Sequence, residues 1–177
     1  ASVVTDRIQR FTPTGIQLES GDTLEADVVI TATGFDVSVM GGIEFTIDGE
    51  ALDFHETVTW QGAMFSGVPN LVWVFGYFRF SWTLRVDLLA DFVCRLLMHM
   101  DDRSLRCVTP TLRDHELDMK RAPWVESDNF NPGYLERSMH LLPQQGAHLP
   151  WHHTQDFTID SDTIPAIDFD DGTLSFG

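Results

Sequence analysis

An apolar strand, a glycine and the start of a helix follow one another at residues 70–83, and such a junction can bind a ligand. The run NLVWVFG at 70–76 has no polar face and ends at Gly76, and Ser81 is a good N-cap for a helix. The start of a helix offers free backbone N–H groups and the positive end of its dipole. Ligands collect at such carboxyl ends of strands in open α/β sheets, so an anionic or carbonyl-rich group can dock here.

The loop between this strand and this helix is also rich in aromatic side chains. Its aromatic residues are Tyr77, Phe78, Phe80 and Trp82. These rings suit a flat partner such as a flavin, whose N1 and C2=O edge is the kind of group that a helix start binds. A plain core strand and helix with aromatic filler is the alternative.

A second apolar run, DVVITA at 27–32, ends in the small residues Ala32, Thr33 and Gly34. Three consecutive apolar residues within it predict a strand buried on both faces, as in a parallel sheet. Gly34 can adopt a positive φ or admit a close ligand approach. A tight turn at the end of a strand explains the same residues.

The remaining patterns predict a mixed α/β chain. Residues 3–11 and 16–20 are predicted as strands, with turns at Pro13–Gly15 and Gly21–Asp22. A helix is predicted from Ser81, with one apolar face formed by Trp82, Val86, Leu89, Phe92, Val93, Leu96, Leu97 and Met100. A short helix follows with Asn131 as cap, Pro132 at its first position and Pro143 as its stop. The end of the chain, from Asp160, is predicted to be a solvated, partly extended acidic tail.

The two apolar runs need sheet neighbours that this chain has too few strands to supply. The chain also starts without methionine, almost directly in a strand. Both features predict missing upstream sequence of the same polypeptide, although a processed N-terminus would look the same.

Charge and composition argue against a nucleic-acid partner, a disulfide framework and a transmembrane segment. The 177 residues include 11 basic and 27 acidic ones, for a net charge of −16, whereas nucleic acids require clustered Lys and Arg. Two cysteines do not make a disulfide framework, and reduced thiols are the default in a cytoplasmic protein. No apolar run reaches the 18 residues that would indicate a transmembrane segment.

Histidines and aspartates offer two weaker hypotheses about metals. His148, His152 and His153 could suggest a metal site, but adjacent residues rarely ligate one ion well and no suitably spaced Cys or Glu completes the set. The tail contains Asp-x-Asp but lacks the glycine and glutamate of an EF-hand loop. We therefore expect no metal site.

A series of ordered segments resembles a known family. In chain order, VVTDRIQRFTPTGIQL, DVVITATGF, GVPNLVWVFGY and SWTLRVDLLADFVCRLLMHMDD resemble the class B flavin-dependent monooxygenases, which include Baeyer–Villiger and N-hydroxylating enzymes. The resemblance continues through PGYLERS, LPQQG and PW to about residue 155. It implies an α/β fold, namely the carboxy-terminal part of a Rossmann-like flavoprotein with two dinucleotide-binding domains, for FAD and NADP.

The resemblance also implies a domain division and roles for particular residues. Residues 1–36 would end the NADP-binding domain, 37–105 would form the C-terminal part of the FAD-binding domain, and 106–177 would be an extension. The residues expected to contact the cofactors are Gly76, Ser81, Trp82 and Thr83 for FAD, and Thr33 and Gly34 near NADP. Phe78 and Phe80 would line the substrate cavity. No residue of this chain is expected to be catalytic.

The activity that the resemblance implies belongs to a longer protein. NADPH would reduce FAD, O₂ would give a C4a-peroxyflavin, and this would oxygenate a ketone or a sulfur atom. The family's two G-x-G-x-x-G loops would lie upstream, because this chain contains no G-x-G. An N- or S-oxygenating relative and a catalytically silent binding module remain open as alternatives.

Overall fold

The computed structural model describes residues 1–34, 37–125 and 132–177. The chain divides into two compact units, Ala1–Phe35 and Asp36–Gly177. Two residues used in the sequence predictions, Phe35 and Asn131, lie outside the described residues. The assignment of ranges to NADP and FAD domains stays a prediction.

The described elements include three α-helices, four short 3₁₀ helices and eleven short strands. The helices are α1 (Trp82–Asp102), α2 (Gly133–Ser138) and α3 (Phe157–Thr163). The strands are β1 (Ile8–Thr12), β2 (Gly15–Leu18), β3 (Thr23–Glu25), β4 (Thr46–Ile47), β5 (Glu50–Ala51), β6 (Thr59–Trp60), β7 (Met64–Phe65), β8 (Val108–Pro110), β9 (Ala122–Pro123), β10 (Gln144–Gln145) and β11 (Leu174–Phe176). None of the helices in the described part of the chain is long and apolar enough to cross a membrane.

The first unit is built on a three-stranded antiparallel sheet in the order β1-β2-β3. Both predicted turns are confirmed, and Gly15 pairs with Thr12 on one side and Glu25 on the other. A Cβ on Gly15 would lie 2.0 Å from the carbonyl oxygen of Leu24, so only glycine fits this position. The first strand begins at Ile8 rather than at residue 3.

The predicted buried strand at 27–32 is wrong for this structure. These residues form no strand, and Val28 and Ile30 are 76% and 88% exposed. A strand that is apolar on both faces needs paired neighbours and covering layers. The described residues of the first unit provide only the small antiparallel sheet, so this run is left without either.

The core of the second unit is packed around α1. The predicted helix is confirmed, with Ser81 preceding its first residue, and its buried face includes Leu89, Phe92, Leu96 and Met100. The predicted apolar face is only partly correct, because Trp82, Val86 and Leu97 are exposed. Arg85 instead occupies the buried position one turn before Leu89.

The predicted strand at 70–76 is also wrong in this structure. Residues 71–77 belong to no strand, although the amide of Trp73 donates to the carbonyl of Ala63 at 2.7 Å. The sheet pairs described in this unit have two or three residues per strand: β4–β5, β6–β7, β8–β11 and β9–β10, all antiparallel. None of them offers a parallel edge along 70–76 with which the run could pair.

The end of the chain is folded, which corrects the prediction of a solvated tail. It contains α3 and β11, and β11 pairs with β8. Ile164, Phe169 and Leu174 are buried in the same core cluster as α1. The prediction was based on the acidic composition of this segment. The aspartates are interspersed with these apolar residues, whose burial in the core folds the segment.

The predicted short helix is confirmed as α2, which starts at Gly133. Pro132 is its N-cap rather than its first residue, and a single turn of 3₁₀ helix, Met139–Leu141, continues it toward Pro143. The amide of Val37 donates to Ser138 Oγ at 3.3 Å, which ties this helix to the start of the unit.

Candidate functional site

The loop that begins at Gly76 is held against the start of α1 by an aromatic contact. A Cβ on Gly76 would lie 2.2 Å from ring carbons of Trp82, so the indole occupies the space that any larger residue would need. The ring of Trp82 also packs on Phe75, with centroids 5.0 Å apart. The packing of Trp82 therefore requires glycine at position 76.

The start of α1 is open to solvent. Ser81, Trp82 and Thr83 are all exposed, and the Ser81 hydroxyl makes a 2.8 Å hydrogen bond with the Thr83 hydroxyl instead of capping the helix. The first turn carries no acidic side chain, so the positive end of the helix dipole is not neutralised from within the helix. An anionic or carbonyl edge of a ligand is the group that such a helix start favours.

A cavity of about 370 Å³ lies beside this loop. Its lining residues are Phe78, Arg79, Phe80, Thr154, Gln155 and Asp156. The structure thus brings together Phe78 and Phe80, which were predicted for a substrate cavity, and adds a second wall from residues 154–156. Sequence reasoning missed this wall because it is more than 70 residues away along the chain.

Gln155 fastens the two walls of this cavity together. The amide of Phe78 donates to Gln155 Oε1 at 2.9 Å, and Gln155 Nε2 donates to the carbonyl of Gly76 at 3.3 Å. Gln155 has φ +52°, a left-handed conformation that is uncommon outside glycine. Through these two hydrogen bonds, the side-chain amide of Gln155 holds both ends of the segment from Gly76 to Phe78.

Beneath the loop lies a buried cluster of charged and polar groups. Asp160, from α3, accepts hydrogen bonds from Arg85 Nη1, from the Tyr77 hydroxyl at 2.7 Å and from Thr154 Oγ1 at 2.5 Å. Arg85 Nη2 donates to the carbonyl of Gln61 at 2.7 Å. The cluster thus joins the loop, the second turn of α1, the second wall of the cavity and α3.

This cluster keeps Tyr77 as a neutral donor. Burial raises the pKa of Tyr77 above its ordinary value, and the hydrogen bond to Asp160 raises it further. Arg85 also lies over the Tyr77 ring, with 5.4 Å between Cζ and the ring centroid. The sequence did carry a signal for Arg85, since position 85 continues the buried spacing of Leu89, Phe92 and Leu96.

His153 is a buried histidine that directly precedes Thr154, one of the lining residues of the cavity. Its ring stacks on Trp124 at 3.9 Å, and its Nε2 lies 2.7 Å from the Trp124 carbonyl oxygen. Burial lowers the pKa of His153 to about 3. Among the described residues, no group of three His, Cys, Asp or Glu side chains could hold a metal ion.

Thr33 and Gly34, predicted near NADP, lie in the first unit and are exposed. Gly34 has φ +95°, the positive value that the predicted turn requires. Among the described residues, a Cβ built on Gly34 would meet no atom within 4 Å. The other predicted site residues all belong to the second unit.

Comparison with known proteins connects this arrangement to one group of enzymes. The chain is 43% identical over 176 residues to the "Probable FAD-binding monooxygenase AlmA" of Acinetobacter baylyi, a match over 99% of this chain and 34% of AlmA. It is 44% identical over 174 residues to the FAD-containing monooxygenase EthA of Mycobacterium tuberculosis, over 98% of this chain and 35% of EthA. The EthA of Mycolicibacterium smegmatis is 43% identical over 176 residues.

No protein-family model matches the chain, and no solved structure matches it either. The curated relatives nevertheless align with it from end to end, at an identity well above that of chance similarity. The chain spans about a third of the length of these relatives. The chain is thus a homologue of FAD-containing monooxygenases and is the counterpart of about one third of such a protein.

Proposed function

We propose that this chain is the C-terminal part of an FAD- and NADPH-dependent monooxygenase and forms one wall of its flavin site. The full protein inserts one oxygen atom from O₂ into a ketone, as in a Baeyer–Villiger reaction, or adds it to sulfur. The observation that carries the proposal is the end-to-end similarity to FAD-containing monooxygenases. The open start of α1 supports the location of the flavin.

The residues at the start of α1 fit one edge of a flavin ring. Ser81 and Thr83 present exposed hydroxyls and backbone N–H groups, next to a helix end without acidic side chains. The indole of Trp82, which is 53% exposed, offers a flat apolar surface beside them. These groups would hold the N1 and C2=O edge, and they would stabilise negative charge there.

The proposed roles of the chain's other residues are positional. FAD, when bound, supplies the redox chemistry that activates O₂. Phe78 and Phe80 would line the substrate cavity and exclude water from it. Thr33 and Gly34 would lie at the domain junction close to NADP. The phosphate-binding loops and the catalytic groups would come from upstream sequence of the same polypeptide.

The proposal is tested with the complete protein in which this chain occurs. Purified protein should carry FAD, visible by its absorbance near 450 nm, and should consume O₂ when NADPH and a substrate are added. A cyclic ketone yielding a lactone would show Baeyer–Villiger chemistry, and a thioether yielding only a sulfoxide would move the assignment to sulfur oxygenation. A protein that binds no FAD would refute the proposal and favour a silent binding module.

A further inference from the structure

The loop that carries Phe78 and Phe80 is held by side chains rather than by a sheet. Residues 76–80 lie outside every helix and strand of the described chain. Phe78 and Phe80 line the cavity of about 370 Å³. The groups that fix the backbone of this loop therefore also fix the position of both rings in the cavity.

Gln155 bonds the backbone of this loop at two points. The amide of Phe78 donates to Gln155 Oε1 at 2.9 Å, and Gln155 Nε2 donates to the carbonyl of Gly76 at 3.3 Å. A side-chain amide carries a donor and an acceptor, which are the two groups that a neighbouring strand would offer. Gln155 thus takes the place of a sheet neighbour for the segment from Gly76 to Phe78.

Tyr77, the residue between these two bonds, is fixed by the same part of the chain as Gln155. Its hydroxyl donates to Asp160 at 2.7 Å, and Asp160 also accepts a hydrogen bond from Thr154. The Tyr77 ring meets the ring of Phe80 edge to face, with centroids 5.7 Å apart. A shift of the loop backbone would therefore move Phe80 through Tyr77.

The backbone of Gln155 indicates that its side chain is needed at this place. Its φ of +52° lies in the left-handed region, which residues other than glycine adopt at a cost and which is frequent at functional sites. Glycine would remove this cost but has no side-chain amide. Asparagine suits the conformation better, but its side chain is one methylene shorter. Glutamine adds the reach that the two hydrogen bonds require.

We propose that Gln155 is a positioning residue that sets the shape of the substrate cavity through Phe78 and Phe80, and thereby the preference among substrates. It acts through the loop, because its side-chain amide bonds the loop backbone. This inference rests on the proposed function for the existence of a substrate. It deepens that function by naming the residue on which substrate preference depends.

The first measurement is amide hydrogen exchange at single-residue resolution in the complete protein. In the unaltered protein the Phe78 amide should exchange at least about tenfold more slowly than in an unstructured peptide, because Gln155 Oε1 accepts its hydrogen. Gln155→Met keeps the length of the side chain but offers no such acceptor, so it should remove most of this protection. Methionine suits the backbone, since Met40 has φ +53° in this chain. Exchange at the rate of an unstructured peptide in the unaltered protein, or protection that survives Gln155→Met, would overturn the proposal.

The second measurement is the ratio of kcat/KM for two substrates with the same reacting group. This ratio does not change when a variant merely lowers the amount of folded enzyme. Cyclohexanone and 4-phenylcyclohexanone serve if the protein oxidises ketones, and dimethyl sulfide and methyl phenyl sulfide serve if it oxidises sulfur. We expect Gln155→Met to change the ratio by about fivefold or more, because Phe78 and Phe80 no longer hold the phenyl group in one place. A ratio within about twofold of that of the unaltered protein would overturn the proposal.

Gln144→Met is the matched control for both measurements. Gln144 is also half-buried, and its Nε2 donates to the carbonyl of His55 at 2.9 Å, but it does not line the cavity. This variant should leave the exchange of the Phe78 amide and the substrate ratio unchanged. Equal changes in the Gln144 and Gln155 variants would overturn the proposal.

Gln155→Glu separates the two hydrogen bonds of Gln155. Its carboxylate still accepts from the Phe78 amide but cannot donate to the carbonyl of Gly76. The exchange of the Phe78 amide should therefore stay slow, and fast exchange in this variant would overturn the proposal. If Gln155→Met fails to fold, the unaltered protein and Gln155→Glu still decide the result.

The proposed function fails by a different result. A complete protein that binds no FAD would refute the proposed function, and loss of Phe78 protection in Gln155→Met would then still support the positioning of the loop by Gln155. Protein that is loaded with FAD and oxidises its substrates, but keeps its substrate ratio in Gln155→Met, would overturn only the role of Gln155.

Discussion

Two arginine–aspartate pairs join the two ends of α1 to the final segment of the chain, and they differ mainly in burial. Near its start, Arg85 pairs with Asp160, and their side chains are 1% and 4% exposed. Just past its end, Arg103 pairs with Asp170 through two hydrogen bonds of 2.7 and 2.8 Å, with side chains 48% and 58% exposed. The residue types are the same, but the surroundings are not.

The difference shows where the molecule needs a fixed geometry. An exposed pair gains little, because water and salt screen it. A buried pair is held by further hydrogen bonds, and removing one partner leaves an uncompensated charge. Asp160 has these extra bonds, to Tyr77 and Thr154, which both belong to the region beside the proposed flavin site. The buried pair therefore fixes the position of the loop after Gly76. The exposed pair only links the end of α1 to the surface residue Asp170.

The largest effect is expected when the buried pair is broken. Asp160→Asn should lower the free energy of unfolding by about 3–5 kcal/mol, because Arg85 keeps its charge in a buried place. Urea unfolding followed by tryptophan fluorescence measures this, since all 5 tryptophans lie in the second unit. Asp162→Asn, at an exposed position of the same helix, should change stability by less than about 0.5 kcal/mol. Equal losses in both variants would contradict the comparison.

A methyl group at position 76 should be the next most disruptive change. Gly76→Ala forces the indole of Trp82 to move, which we expect to cost about 1–3 kcal/mol. It should also weaken FAD binding by the complete protein. The matched control is Gly133→Ala, where the new Cβ would meet, among the described residues, the end of the Arg137 side chain at 3.4 Å. If Gly76→Ala kept both stability and FAD affinity, Trp82 would not need its present position.

The stability of the folded chain should also depend on pH, because His153 is buried. Its pKa is lowered to about 3 in the folded chain, against an ordinary value near 6.5. The unfolded chain thus binds the proton first, so stability should fall as pH drops from about 6.5 toward 3. Between pH 7 and pH 5 the loss should be about 2 kcal/mol. Unfolding curves at both pH values should show a smaller loss of stability between pH 7 and pH 5 for His153→Gln. The variant His152→Gln should show the full loss. An undiminished loss in His153→Gln would assign the pH dependence elsewhere.

The smallest effect is expected at the exposed pair. Asp170→Asn should lower the free energy of unfolding only slightly, even at low salt, because both partners of the pair are exposed to solvent. The effect should vanish in 1 M NaCl, where screening acts within about 3 Å. Urea unfolding at both salt concentrations measures it. A loss as large as that of Asp160→Asn would show that burial does not distinguish the two pairs.

The helix and the hairpin were predictable because their patterns are local. The spacing of Leu89, Phe92 and Leu96 requires only a helix with one covered face, and the turn at Pro13–Gly15 joins two strands that follow each other directly in the sequence. The runs at 27–32 and 70–76 are different, because an all-apolar strand depends on neighbours that the described chain does not supply. The sequence of these two runs therefore indicates that they need sheet neighbours, but it does not indicate whether the described chain contains such neighbours.

The candidate site was predictable only on the loop side. Phe78, Phe80 and the start of α1 follow from one contiguous stretch of sequence. The opposite wall at Gln155 and the bond from Tyr77 to Asp160 join residues 77 and 83 positions apart, which no local pattern encodes. The acidic composition after Asp160 concealed the buried role of that residue, since one aspartate in a charged segment looks like the others.

The central claim is that the start of α1 faces the flavin, and hydrogen–deuterium exchange of the complete protein tests it most directly. Exchange is compared with and without FAD, using peptides that cover residues 76–84 and the end of α1 near Arg103. The account predicts that FAD slows exchange in the first peptide and leaves the second unchanged. Unchanged exchange at 76–84, in protein shown by absorbance to be loaded with FAD, would contradict it.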